Sequence, residues 1–110
     1  MTDREELVRA YYRALDDHRY DDLRELLSPE FTQRRPDRRF ESPERFVRFM
    51  REERPLTDTT HEVRGLYTSE PGVAVRGGLL DSSGMELFEF VDVFSFDSEG
   101  WIERLVTYSG

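Results

Sequence analysis

The chain contains no cysteine and no lysine, and each absence narrows what the protein can do. Without thiols there is no disulfide, no thiolate nucleophile and no Cys-based zinc or iron–sulfur centre. His18 and His61 are then the only soft metal ligands, too few for a zinc site, so no metal and no cofactor is expected. Without lysine, all 16 basic residues are arginines, set against 24 acids for a net charge of -8. Such a surface repels phosphate, so nucleic acid and anionic membrane are excluded as expected partners. No apolar run reaches the roughly 18 residues of a membrane span, and the first 20 positions mix charged with apolar residues rather than forming a signal-peptide core. A cytoplasmic location is expected. At 110 residues the whole chain, 1–110, reads as one domain, so any pocket must share its single core.

An acid excess without lysine is also the composition of proteins from salt-loving archaea, where high salt screens charge repulsion. A GC-rich genome that writes Arg for Lys is the alternative, although it does not account for the acids.

What is present is a switch of hydrophobic period. Thr2 with Glu5 forms a capping-box signature, and Leu7, Val8, Tyr11, Tyr12 and Leu15 recur at helical spacing, predicting a first helix over 3–16. Leu23, Leu26 and Leu27 mark a short second helix stopped by Ser28 and Pro29. Phe31 to Arg35 reads as a short strand followed by an Arg-rich loop. Ser42 as N-cap and Pro43 at the first helical position open a third helix with Phe46, Phe49 and Met50 on its apolar face, ending before Pro55. From Thr59 the period becomes two. Turn clusters at 70–72, 81–84 and 97–100 cut the remainder into four strands of an antiparallel meander. The predicted class is α+β, three N-terminal helices packed on one face of a curved antiparallel sheet.

The strand from Leu87 to Phe96 carries the most information. Phe88, Phe90, Phe94 and Phe96 share a face with Asp92, which places a carboxylate in an aromatic stripe. Leu87, Val91 and Val93 occupy the other face, which the helices cannot also cover, so a homodimer through that outer face is expected.

Taken together, Leu7 to Leu15 followed by Asp21-Asp22-Leu23, Phe31 to Pro36, the helix with Phe46 and Phe49, and Val91-Asp92-Val93-Phe94 running into Gly100-Trp101-Ile102 resemble the nuclear transport factor 2-like superfamily. They resemble in particular its SnoaL-like branch of polyketide cyclases and the related ketosteroid isomerases. The resemblance implies a cone-shaped, cystatin-like fold in which a bent sheet wraps the first helix around a deep pocket. It also implies that Tyr11 stands where the isomerases place an oxyanion-hole tyrosine and Asp92 where they place a protonated aspartic acid. Their general-base aspartate precedes a proline at the end of the first strand. Here that position is Arg35, followed by Pro36. A guanidinium does not accept a proton near neutral pH, so the isomerase site is incomplete.

Asp92 therefore admits two readings: a neutral acid donating a hydrogen bond beside Tyr11, or a carboxylate paired with Arg35, which alternation places with Phe31 and Gln33 on the inward face. Tyr11 and Asp92 are the candidate catalytic residues. Arg35, Gln33, His61, Phe31, Phe49 and Phe90 are the candidate ligand-binding residues. His61 reads first as a hydrogen-bonded wall residue and second as a base, while His18 reads as solvent-facing. Gly77-Gly78 marks a bulge or bend, not a phosphate loop. The expected function is binding of a small, largely apolar organic ligand. The alternatives are a small-molecule isomerase, cyclase or hydrolase using Asp92 and Tyr11, or an interaction module with a vestigial pocket.

Overall fold

The stripe of apolar residues on the first helix organises the fold, because it gives the sheet something to wrap. In the computed structural model, which describes residues 3–109, α1 spans Arg4–Asp16 and buries Leu7, Val8, Tyr11, Tyr12, Ala14 and Leu15. Its cap is Asp3, whose carboxylate accepts from the Glu5 amide at 2.9 Å. The capping box expected at Thr2 lies outside the described residues. After α2 (Tyr20–Glu25) the chain enters β1 (Leu27–Arg34), four residues earlier than the pattern predicts. Leu27 is drawn into the sheet by its register with Ile102, whose amide donates to the Leu26 carbonyl at 3.1 Å. The strand β2 (Arg39–Phe40) folds back on β1.

The third helix forms as expected but is not uniform. Ser42 accepts from the Arg45 amide at 3.2 Å, and α3 covers Pro43–Arg48 before widening into a π-helical turn, Phe49–Glu53. Arg54 is then extended, as the residue before a proline prefers. The four remaining strands are β3 (Thr60–Thr68), β4 (Gly72–Leu80), β5 (Glu86–Phe96) and β6 (Ile102–Ser109). They form the expected meander within a six-stranded sheet of order β2-β1-β6-β5-β4-β3.

Two expectations change. The sheet is mixed rather than antiparallel, because β1 runs parallel to β6. A period-two pattern specifies which face a residue occupies and says nothing about strand direction. Leu87 also leaves the outer face: the β4–β5 register slips between Leu79 and Leu80, and both Leu87 and Phe88 end up beside the cavity described below. The outer face retains Val91, opposite Tyr108, and Val93, opposite Val106 and Ala74.

The inner core joins Leu7, Val8 and Phe46 from the helices to Phe31, Val75, Phe94 and Leu105 from the sheet. The expected irregularity near Gly77-Gly78 is a bulge in the facing strand, where the β3–β4 register slips between Val63 and Gly65. Gly77 itself is required by close approach. A Cβ there would meet the Glu62 carbonyl and lie 2.8 Å from the Phe90 ring. Gly77→Ala is expected to cost about 1–3 kcal/mol in urea unfolding; an unchanged midpoint would show that the Phe90 ring yields freely.

Candidate functional site

Three neighbouring strands bring a polar row under α1. Asp92 on β5 is directly opposite Thr107 on β6, and Gln33 on β1 is registered with Leu105, two residues from Thr107. The side chains complete what the register begins. Gln33 Nε2 donates to Thr107 Oγ1 at 3.0 Å, and Thr107 Oγ1 donates to Asp92 Oδ1 at 2.6 Å. The Tyr12 hydroxyl donates to Asp92 Oδ2 at 2.6 Å. Both carboxyl oxygens are thus occupied by hydroxyl groups. Asp92 is only 5% exposed, and burial raises its pKa even though the hydrogen bonds from Thr107 and Tyr12 pull the other way.

The ion pair with Arg35 is not formed. Arg35 acts on Asp92 only through its more distant charge, which favours the carboxylate weakly. The physical reason lies at the end of β1. Strand geometry stops at Arg34, and the Arg35 amide turns to the Arg38 carbonyl at 2.8 Å, so alternation no longer aims the side chain at β5.

A cavity of about 290 Å³ opens beside this row. Of the candidate residues, Tyr11, Gln33, Arg35, Phe49, His61, Phe90 and Asp92 line it, and Phe31 does not. Phe31 sits deeper, wholly buried, with its ring 5.1 Å from that of Phe46. Alternation placed it on the correct face, but α3 covers it. Arg38 lies over the Phe49 ring at 4.4 Å, and Arg54, also lining the cavity, donates through Nη2 to the Tyr20 hydroxyl at 3.1 Å. Among the described residues, Gln33 Oε1 and Arg54 Nε are buried without a hydrogen-bond partner.

Tyr11 and Tyr12 divide the labour. Their rings meet edge to face at 5.1 Å. The Tyr12 hydroxyl is spent on Asp92, while that of Tyr11, a cavity residue, has no hydrogen bond to another described residue. Burial, reinforced by the Asp92 charge, raises the pKa of both phenols, so both keep their protons.

His61 is tied down by a residue the sequence does not single out. Its ring Nδ1 lies 2.6 Å from Asp16 Oδ1, and its backbone amide donates to the same carboxylate at 3.1 and 3.2 Å. Asp16 is four residues beyond Tyr12 on α1, and that spacing is the available signal, since positions i and i+4 share a helix face. Tyr12 was legible only as a residue of the helix's apolar face, and Thr107 carries no signal in the sequence. His18 is exposed as expected, at a positive φ of 57°. No group of three His, Asp or Glu side chains that could hold a metal stands together among the described residues. Among these residues, no helix is long and apolar enough to cross a membrane.

A helix-wrapping six-stranded sheet with a cavity between helix and sheet agrees with what the sequence profile of the SnoaL-like domain recognises over residues 8–105. The chain belongs to the SnoaL-like domain family. Its fold matches an NTF2-like protein of unknown function from Cytophaga hutchinsonii with a TM-score of 0.84 at 17% identity, covering 100% of this chain and 92% of that one. A SnoaL-like protein of unknown function from Burkholderia thailandensis matches at 0.82 and 16%, covering 100% and 98%. A candidate polyketide cyclase from Sinorhizobium meliloti matches at 0.81 and 17%, covering 94% of each chain. At such identities the likeness establishes the shared fold and assigns no chemistry. No curated protein matches the sequence.

Proposed function

We propose that this SnoaL-like domain binds a small, largely apolar organic molecule carrying one hydrogen-bond donor. The observation that carries this reading is Gln33, which lines the cavity and whose Oε1, buried without a partner, would be brought to a ligand donor by a turn of the side-chain amide. An acceptor left unpaired in the folded state costs about 1–3 kcal/mol, which a ligand O–H or N–H returns on binding. The apolar part of the wall is Leu15, Phe49, Met50, Leu79 and Phe90, beside Arg35, Arg38 and Arg54, and the volume falls near the lower end of the ~300–1,000 Å³ typical of small-molecule sites. The test is a pair of probes that differ in the hydroxyl donor, a phenol and its methyl ether, followed by amide NMR. The phenol is expected to shift Gln33, Thr107 and His61 and to bind roughly tenfold more tightly than the ether. Equal binding would remove Gln33 as the recognition point, and no shifts with either would overturn the pocket reading.

The enzyme reading is second, and the cavity-facing Tyr11 favours it. With both oxygens of Asp92 engaged by Thr107 and Tyr12, that carboxyl positions its neighbours rather than meeting a ligand, so a reacting oxygen would be received by Tyr11.

The homodimer remains a proposal of the same kind. It is supported by Val91 at 38% and its cross-strand neighbour Tyr108 at 58% exposure on the outer face, together with Tyr67 at 57%. Sedimentation in molar salt is expected to give a dimer that Val91→Arg dissociates; a monomer unaffected by the substitution sinks the idea. Adaptation to salt, proposed from the acid excess, predicts a melting temperature that climbs between tenths of molar and molar salt, and a flat response counts against it.

A further inference from the structure

The Asp16–His61 contact does more than complete a wall. A carboxylate only accepts, so its 2.6 Å approach to Nδ1 fixes the imidazole proton on that nitrogen and leaves the lone pair on Nε2. The same carboxylate accepts from the His61 backbone amide, which clamps the residue at both its main chain and its ring. The ring also packs against Tyr12, tilted at 5.2 Å, and edge to face against Phe90 at 5.8 Å. His61 borders the cavity, and Nε2 has no hydrogen bond to another described residue and is not among the sealed, unpartnered atoms. An oriented imidazole with a free lone pair at a cavity wall has the arrangement of a general base with its positioning carboxylate.

We propose that His61 is the general base of this pocket, oriented by Asp16, and that the ligand class is a small apolar molecule with a weakly acidic C–H whose electron pair ends on an oxygen. The base stands on β3, where a helix-borne carboxylate supplies its orientation, and not at the end of β1, where the resemblance to the isomerases puts it and this chain has Arg35. In the step itself the Nε2 lone pair takes the substrate proton, the C–H electron pair passes through the substrate to its oxygen, and the Tyr11 hydroxyl donates to that oxygen. The proton on Nε2 then leaves to water or returns to the substrate at another carbon. Asp16 touches no substrate and is a positioning residue. Asp92 and Tyr12 face the ring from β5 and α1, and Arg54 lines the same cavity.

This inference rests on the cavity being a ligand site, and a probe that reports binding and proton removal separately keeps the two apart. A nitro-substituted benzisoxazole serves: loss of its ring C–H proton to a base breaks the N–O bond and yields a coloured cyanophenolate, with no other reactant. Wild-type protein is expected to bind it, by shifts of pocket amides, and to accelerate its opening. His61→Gln, which preserves side-chain volume and can still donate to Asp16, is expected to bind equally and to lose roughly a hundredfold or more in rate. Asp16→Asn offers an amide donor to Nδ1 and is expected to move the ring proton to Nε2, visible in the nitrogen NMR of the histidine, with an intermediate loss of rate. Binding without acceleration, or acceleration that survives in His61→Gln, overturns the base and leaves the pocket standing. An unchanged tautomer in Asp16→Asn overturns the positioning role. Absence of both binding and turnover overturns the pocket reading and the base with it.

Discussion

Phe94→Ala is expected to be the most destabilising single substitution of the core, at about 3–5 kcal/mol. The ring is fully buried at the centre of the sheet, where β5 pairs with Val73 on one side and Leu105 on the other. It meets Tyr11 edge to face at 5.3 Å and Tyr12 at 6.0 Å. Removing it deletes the surface on which both tyrosines rest, adding the loss of two aromatic contacts to the cavity left behind. For a domain of this length, with total stability of order 5–15 kcal/mol, that corresponds to a fall in Tm of roughly 12 °C or more. Calorimetry with the cavity site monitored by NMR separates two consequences. The Tyr12–Asp92 bond should loosen along with the fold, whereas Phe31→Ala, an equally buried ring that pairs with Phe46 rather than with either tyrosine, should cost similar stability and leave that bond intact. Equal effects of the two variants on Asp92 would show that the aromatic support is not specific.

Phe94 and Asp92 were legible in advance because a strand displays its alternation directly. Four phenylalanines and one aspartate two residues apart can share only one face, and β5 is long enough to make the pattern unambiguous. The helix-forming positions were legible for the same reason, from the stripe on α1 to the Ser42-Pro43 start of α3. Direction and partnership were not. Nothing local distinguishes β1 running parallel to β6 from the antiparallel alternative, because the two strands are joined through most of the chain. The register of β5 with β6 across the turn between them decides that Thr107 faces Asp92, and thereby that a neutral hydroxyl rather than Arg35 meets the carboxylate. Arg35 is one residue past the strand, and that single residue removes it from the alternation on which the expected ion pair depended. Asp16 escaped notice for a different reason. Charged residues at the end of an exposed helix usually serve solvation, and only the fold brings β3 close enough for His61 to use this one. Phe31 illustrates the converse: periodicity identified its face, while the depth at which α3 buries it is a tertiary property.

The pH dependence of Asp92 separates the arrangement found here from the ion pair suggested by the sequence. A carboxyl whose folded-state pKa lies above the ordinary 3.8 binds its proton more tightly in the native than in the unfolded chain. Between those two values the native state holds more protons, so the contribution of Asp92 to stability falls as pH rises through that window. Measured against Asp92→Asn, which does not titrate, wild-type protein is expected to lose up to about 1.4 kcal/mol per pH unit above about pH 4 and then to level off above the raised folded-state value. A salt-bridged carboxylate gives the opposite sign, with the wild type gaining on Asn as pH rises from acid, and that result would reinstate the pair. The partners can be identified in the same experiment. Asn keeps one acceptor and gains one donor, so either the Tyr12 or the Thr107 hydroxyl must turn to accept, a small adjustment for a group that can do both. Asp92→Leu leaves both hydroxyls buried without an acceptor and is expected to cost about 1–3 kcal/mol for each. In double-mutant cycles Asp92→Asn should couple to Tyr12→Phe and add independently to Arg35→Gln within about 0.5 kcal/mol. Coupling to Arg35 instead would mean that the guanidinium reaches the carboxylate in solution, and the chain from Gln33 through Thr107 to Asp92 would then be a consequence of the ion pair rather than its replacement.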